Sequence, residues 1–140
     1  METKQINMQS GVVGGLIGGV VFGMMMAMMG MMPMIAKMIG SESVVVGWVL
    51  HMLISAGTGA VFGALFHSVV KSYSSAAGYG VLYGIIWWIL GALILMPVIL
   101  GMGVQFANMF DQMRLMSMMG HVIFGALLGL GAYWYAVKNA

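Results

Sequence analysis

Histidine and methionine are the residues of this chain whose types and spacing could do chemistry. His51 and His121 each fall in an apolar stretch, and the chain holds 19 methionines and no cysteine. Apart from Met1 and Met8, nine methionines lie between Met24 and Met38, Met52 follows, and seven lie between Met96 and Met119. None occurs between Leu53 and Leu95 or after Met119. Thioether and imidazole are soft and borderline ligands that suit Cu(I) without any thiolate. Met24, Met28 and Met32 recur at a spacing that puts them on one helix face. With Met52, Met118, His51 and His121 they form the candidate Cu(I) ligand set. A second metal chemistry would hold haem b between His51 and His121, with Lys37 or Arg114 meeting the propionates. The competing reading needs no metal: methionine is a flexible filler suited to adaptable partner surfaces, and each histidine is a hydrogen-bonded structural residue.

The elements that must position these residues are set by composition. The chain has 140 residues, of which 62% are hydrophobic and only 6% charged. A soluble domain carries about 25% charged residues, so this is a membrane protein. A net charge of +2 without basic runs gives no reason to expect nucleic acid as a partner. The absence of cysteine excludes disulfides and thiolate sites. Four apolar segments approach the roughly 20 residues a spanning helix needs: about 11–32, 44–70, 78–100 and 115–137. None has Asp, Glu, Lys or Arg in its apolar interior. The runs are too long for tilted strands and lack their period of two. The expectation is an all-α membrane protein, one domain over 1–140, with four transmembrane helices in an antiparallel bundle.

The polar first ten residues, with Glu2 and Lys4, precede helix 1 without a small-residue cleavage site, so that helix is expected to be retained. Lys4, Lys71 and Lys138 fall on one side and Lys37 and Arg114 on the other. Three against two favours cytoplasmic termini, in a prokaryotic cytoplasmic membrane.

The two halves of the sequence resemble each other. Met32-Pro33 matches Met96-Pro97, and His51-Met52-Leu53-Ile54-Ser55-Ala56 aligns with His121-Val122-Ile123-Phe124-Gly125-Ala126. Gly59 and Gly129 follow Ser55 and Gly125 at the same distance. Two tandem hairpin repeats, about 11–70 and 78–137, are expected. The Gly-rich first helix, Gly47-Trp48-Val49-Leu50-His51, Met96-Pro97 and Gly120-His121 with Phe124-Gly125 resemble a family of small four-helix inner-membrane proteins, loosely YagU-like. That resemblance implies a four-helix membrane protein and no activity or cofactor. The Met-x-x-x-Met helix beside small-residue packing is similar in chemistry to Ctr-type copper importers, which have three helices per chain and form trimers.

Small residues recur every fourth position: Gly11, Gly15, Gly19 and Gly23 in helix 1; Ser55, Gly59 and Gly63 in helix 2; Gly125 and Gly129 in helix 4. Lipid supplies no hydrophobic drive between helices, so close contact at small residues must hold them together. Tyr73, Tyr79, Tyr83, Tyr133, Trp134 and Tyr135 are expected as an interface belt, and Trp87 and Trp88 as residues facing lipid or a partner subunit. The spans offer Ser55, Thr58 and Ser117 as hydroxyls, with no buried acid, which disfavours hydrolytic and transfer catalysis. No intramembrane carboxylate is present to couple ion transport. The function expected is a non-catalytic accessory or assembly subunit of a larger membrane complex, or a homo-oligomer, contacting lipid and partners through its glycine stripes and Met-rich end.

Overall fold

A computed structural model describes residues 5–140; Glu2 and Lys4 lie outside the described residues. Helix α1 (Met8–Met28) starts on a capping box, in which the Asn7 side chain accepts from the Ser10 amide and Ser10 Oγ accepts from the Asn7 amide. It stops four residues short of the expected position 32. Pro33 has no amide hydrogen to donate inside a helix and fits best in a helix's first turn, where none is needed. The chain therefore turns through Gly30, at φ +69°, and restarts as the short α2 (Met32–Lys37) with proline in its first turn.

Helix α3 (Val44–Phe66) is capped by Ser43 Oγ and ends before the expected 70. Helix α4 (Tyr73–Trp87) begins five residues earlier than 78, because Ser72 and Ser75 form a second capping box. It continues without a break into a π-helical stretch, Trp88–Leu95, and then α5 (Met96–Ile99). The second Met-Pro thus sits inside a continuous span. Pro97 cannot donate to the Leu93 carbonyl four residues back, and the Gln105 amide takes that acceptor at 2.9 Å. A short 3-10 turn at Phe106–Asn108 leads to α6 (Gln112–Lys138).

Four helical stretches are long and apolar enough to cross a membrane: Met8–Met28, Val44–Phe66, Tyr73–Ile99 and Gln112–Lys138. The described residues contain no strand. The protein is an all-helical integral membrane protein.

Helix α1 packs closely on both α3 and α6, and α4 packs on α6, whereas α3 and α6 barely meet. Glycine makes each close seam. A methyl group at Gly15 would collide with the Ser55 carbonyl oxygen, and one at Gly59 with the Gly11 carbonyl. At the α4–α6 seam a methyl at Gly80 would strike the Gly125 carbonyl, and one at Gly129 the Ala76 carbonyl. Gly14 and Gly18 face α6, where Leu128, Ala132 and Phe124 crowd them. The α3–α4 side is filled differently, by Phe62, Phe66, Tyr79 and Tyr83 in ring contact.

Two aromatic expectations are corrected here. Tyr83 is buried rather than interfacial, and its hydroxyl donates to the Thr58 carbonyl at 2.6 Å. Trp88 is 4% exposed and faces neither lipid nor a partner. Its indole N–H donates to the Arg114 carbonyl of α6 at 3.0 Å, at the residue where the π-helical stretch begins. Trp87 packs against the core, with its Nε1 shielded and without a hydrogen-bond partner among the described residues.

Candidate functional site

The two histidines meet around one phenylalanine. Phe22 continues the Gly14–Gly18 face of α1, and its ring stacks edge-on against His51, with centroids 5.7 Å apart, and against His121, at 4.8 Å. Gly120 makes room for the ring: a methyl there would overlap Phe22. Trp48 closes the other side of His51, edge-on at 6.2 Å.

The two imidazoles have different partners. His51, only 7% exposed, reaches across from α3 so that its Nε2 lies 2.8 Å from the Gly19 carbonyl oxygen of α1. A carbonyl only accepts, so Nε2 carries the proton in this bond. The absence of side chains at Gly19 and Gly23 lets the ring approach: a methyl at Gly23 would sit against Trp48 and His51. His121 is partly exposed and bonds within its own helix. Its Nδ1 lies 2.8 Å from the Ser117 carbonyl and 3.4 Å from Ser117 Oγ. By the same reasoning Nδ1 is the protonated nitrogen, which leaves Nε2 with a lone pair. Among the described residues that Nε2 has no hydrogen-bond partner.

The sulfur atoms of the candidate set are dispersed. Met24 is exposed, and Met28 is 87% exposed on the outer face of α1, while Phe22 points inward from the same helix. Met32 lies beyond the break in α1 and is buried where α2 meets Gly47 of α3. Met52 is half-buried, with its sulfur near Gly19, and Met118 is half-buried on α6. The break at Gly30 explains why Met24, Met28 and Met32 do not share a face. Of the whole set the structure brings together His51, His121 and Met52 around Phe22 and Gly19. Phe22 occupies the space between the imidazoles, and a bis-imidazole haem site would have to displace it. Among the described residues no group of three His, Asp or Glu side chains gathers around a common point.

The hydroxyls of α3 are likewise committed to the backbone. Ser55 Oγ donates to the His51 carbonyl and Thr58 Oγ1 to the Ile54 carbonyl, each at 2.8 Å.

The packing residues Gly15, Gly19, Gly23, Ser55, Gly59, Gly63, Gly125 and Gly129 all lie in helix contacts. Sequence reasoning missed Phe22, Gly14, Gly18, Gly84 and Gly120. A signal for Phe22 existed, since it follows Gly14 and Gly18 at the same spacing of four. Also missed was Gln105, 8% exposed, whose side-chain amide donates to the Met102 and Gly103 carbonyls and whose oxygen accepts from Arg114 and Asn108. Arg114 also pairs with Asp111 at 3.1 Å.

No family model, curated protein or solved structure matches the chain.

Proposed function

We propose that the chain is a non-catalytic accessory or assembly subunit of a larger membrane complex, engaging its partner through the Met-rich end of an antiparallel bundle of two tandem hairpin repeats. The observation that carries this reading is the pairing of a closed interior with an open methionine rim. The seams are closed by glycine against backbone, and His51 and the span hydroxyls are tied to carbonyl oxygens. Met24, Met28 and Met119 stand exposed at the end beyond Phe22 and Gly120. Methionine suits a surface that must adapt to another protein.

The repeat reading is supported by matched contacts. Gly15 meets Ser55 and Gly59 as Gly80 meets Gly125 and Gly129, and the backbone at Gly11 and Ala76 is met by Gly59 and Gly129 in turn. Cytoplasmic termini are supported by charge. Lys37 is paired with Glu42 and Arg114 with Asp111, while Lys71 and Lys138 have no acidic partner among the described residues. By count, Lys4, Lys71 and Lys138 of the sequence outnumber Lys37 and Arg114, which the positive-inside rule reads as a cytoplasmic terminal face. A prokaryotic cytoplasmic membrane is the proposed location.

A photo-crosslinking residue placed at Met28 or at Leu65, in native membranes, tests the partner. A discrete protein adduct at Met28, with only lipid adducts at Leu65, is the expected result. Lipid adducts alone at both positions would sink the reading.

A Cu(I)-handling role is the second reading, favoured by the lone pair on His121 Nε2 next to a methionine-rich rim. It expects Cu(I) uptake that His121→Ala abolishes and His51→Ala leaves largely intact. Protein that takes up no Cu(I) on titration excludes it.

A further inference from the structure

The connection between α5 and α6 carries large exposed apolar side chains beside its exposed polar ones, Asn108 and Asp111. A water-facing loop directs polar side chains outward, because buried polar groups need partners and exposed ones are solvated. Here Met102, Val104, Phe106 and Phe110 project outward, Phe110 with 74% of its surface free, and Met113 extends the patch onto the first turn of α6. Gln105, by contrast, is turned inward and fully engaged with backbone carbonyls, Asn108 and Arg114. The loop also satisfies much of its own backbone: the amides of Met102, Gln105, Asn108, Met109 and Asp111 all donate to carbonyls. Arg114, in the first turn of α6, pairs with Asp111 at the end of the loop. Such a loop suits the boundary of a membrane better than open water, with apolar side chains to bury and Asn108 and Asp111 to keep hydrated.

We propose that the 100–111 connection is a membrane-interface anchor, with Phe106 and Phe110 inserted at the boundary between lipid headgroups and acyl chains. The occupant is lipid because the patch is continuous with the exposed apolar surface of the span, through Val98 and Ile99 on one side and Met113 and Met116 on the other. Amides without partners, such as those an irregular loop retains, exclude the hydrocarbon centre, where no water reaches them. At the interface, an exposed apolar side chain gains by burial while such amides stay hydrated. The neighbouring connection at the same end carries an exposed Lys37–Glu42 pair at 3.3 Å and a single large exposed apolar side chain, Ile39, against four in the 100–111 connection. This inference does not rest on the accessory-subunit reading.

The chain has no cysteine, so single spin labels can be placed without background. Phe110→Cys, Phe106→Cys, Glu42→Cys and Leu65→Cys are each labelled and reconstituted in phosphatidylcholine–phosphatidylglycerol vesicles. Collision rates with oxygen, which partitions into lipid, and with a water-soluble nickel chelate are then compared. All four positions are exposed, so the variants keep the wild-type fold, checked by helical circular dichroism. The expected result is an oxygen-to-nickel ratio at 110 and 106 severalfold above that at 42 and approaching that at 65. A ratio at both matching position 42 would overturn the proposal in favour of a solvated loop. Low collision with both reagents would overturn it in favour of contact between copies of the chain.

Discussion

His51 of α3 and His121 of α6 touch the same phenylalanine, yet they are used differently. His51 crosses from α3 to bond the Gly19 carbonyl of α1, which makes it a tie between helices. His121 folds back on Ser117 of its own helix and keeps the lone pair of Nε2. The difference lies in the glycines opposite. Gly19 and Gly23 leave space at the α1–α3 seam for an imidazole to reach a carbonyl, whereas at the α4–α6 seam Gly84 lies directly against the His121 backbone. The same residue type therefore serves packing in one half and leaves a free nitrogen in the other. The free one is where any ligand chemistry should be sought.

The seams common to both halves set the largest expected effect. Gly59→Leu and Gly125→Leu should each prevent recovery of folded protein in detergent, since bulk there strikes backbone that no rotamer change can move. Monodisperse, helical protein from both variants would mean that the seams are not close-packed. Next comes the residue both histidines share. Phe22→Ala removes the ring between them and should cost about 3 kcal/mol, read as a lower unfolding midpoint.

The histidines themselves should then separate. His51→Ala breaks a bond between helices and should cost about 1 kcal/mol, and His121→Ala, losing only a bond within its helix, clearly less. Equal losses would erase the distinction drawn above. Gln105→Ala strips Arg114 and Asn108 of a shared acceptor and should cost about 1 kcal/mol or less. Its effect should be confined to faster amide exchange across the 100–111 connection.

Much of the fold is legible in the sequence, because a membrane-spanning helix is set by length and apolarity, and both are local properties. The Gly15–Ser55–Gly59 contacts follow from small residues at helical spacing. What stays hidden depends on geometry between segments. Pro33 breaks its helix while Pro97 does not, and that difference depends on whether a distant amide, here from Gln105, takes up the carbonyl the proline cannot use. The dispersal of Met24, Met28 and Met32 follows from the same break. Phe22 was visible as a spacing but not as a wedge, since nothing local tells which glycine face of α1 meets which neighbour. Trp88 was misplaced because nothing local shows that its indole N–H finds the Arg114 carbonyl on α6.

The claim beneath both the scaffold and the matched halves is that glycine is required where helices touch and dispensable where they do not. Thermal unfolding of four alanine variants in one detergent tests it. Gly15→Ala and Gly80→Ala place a methyl against the Ser55 and Gly125 carbonyls, while Gly57→Ala and Gly78→Ala place it in open space. The first two should melt well below wild type, and the other two at or above it, since alanine favours helix over glycine by up to about 1 kcal/mol. Four melting points that do not divide in this way would contradict the glycine-closed bundle.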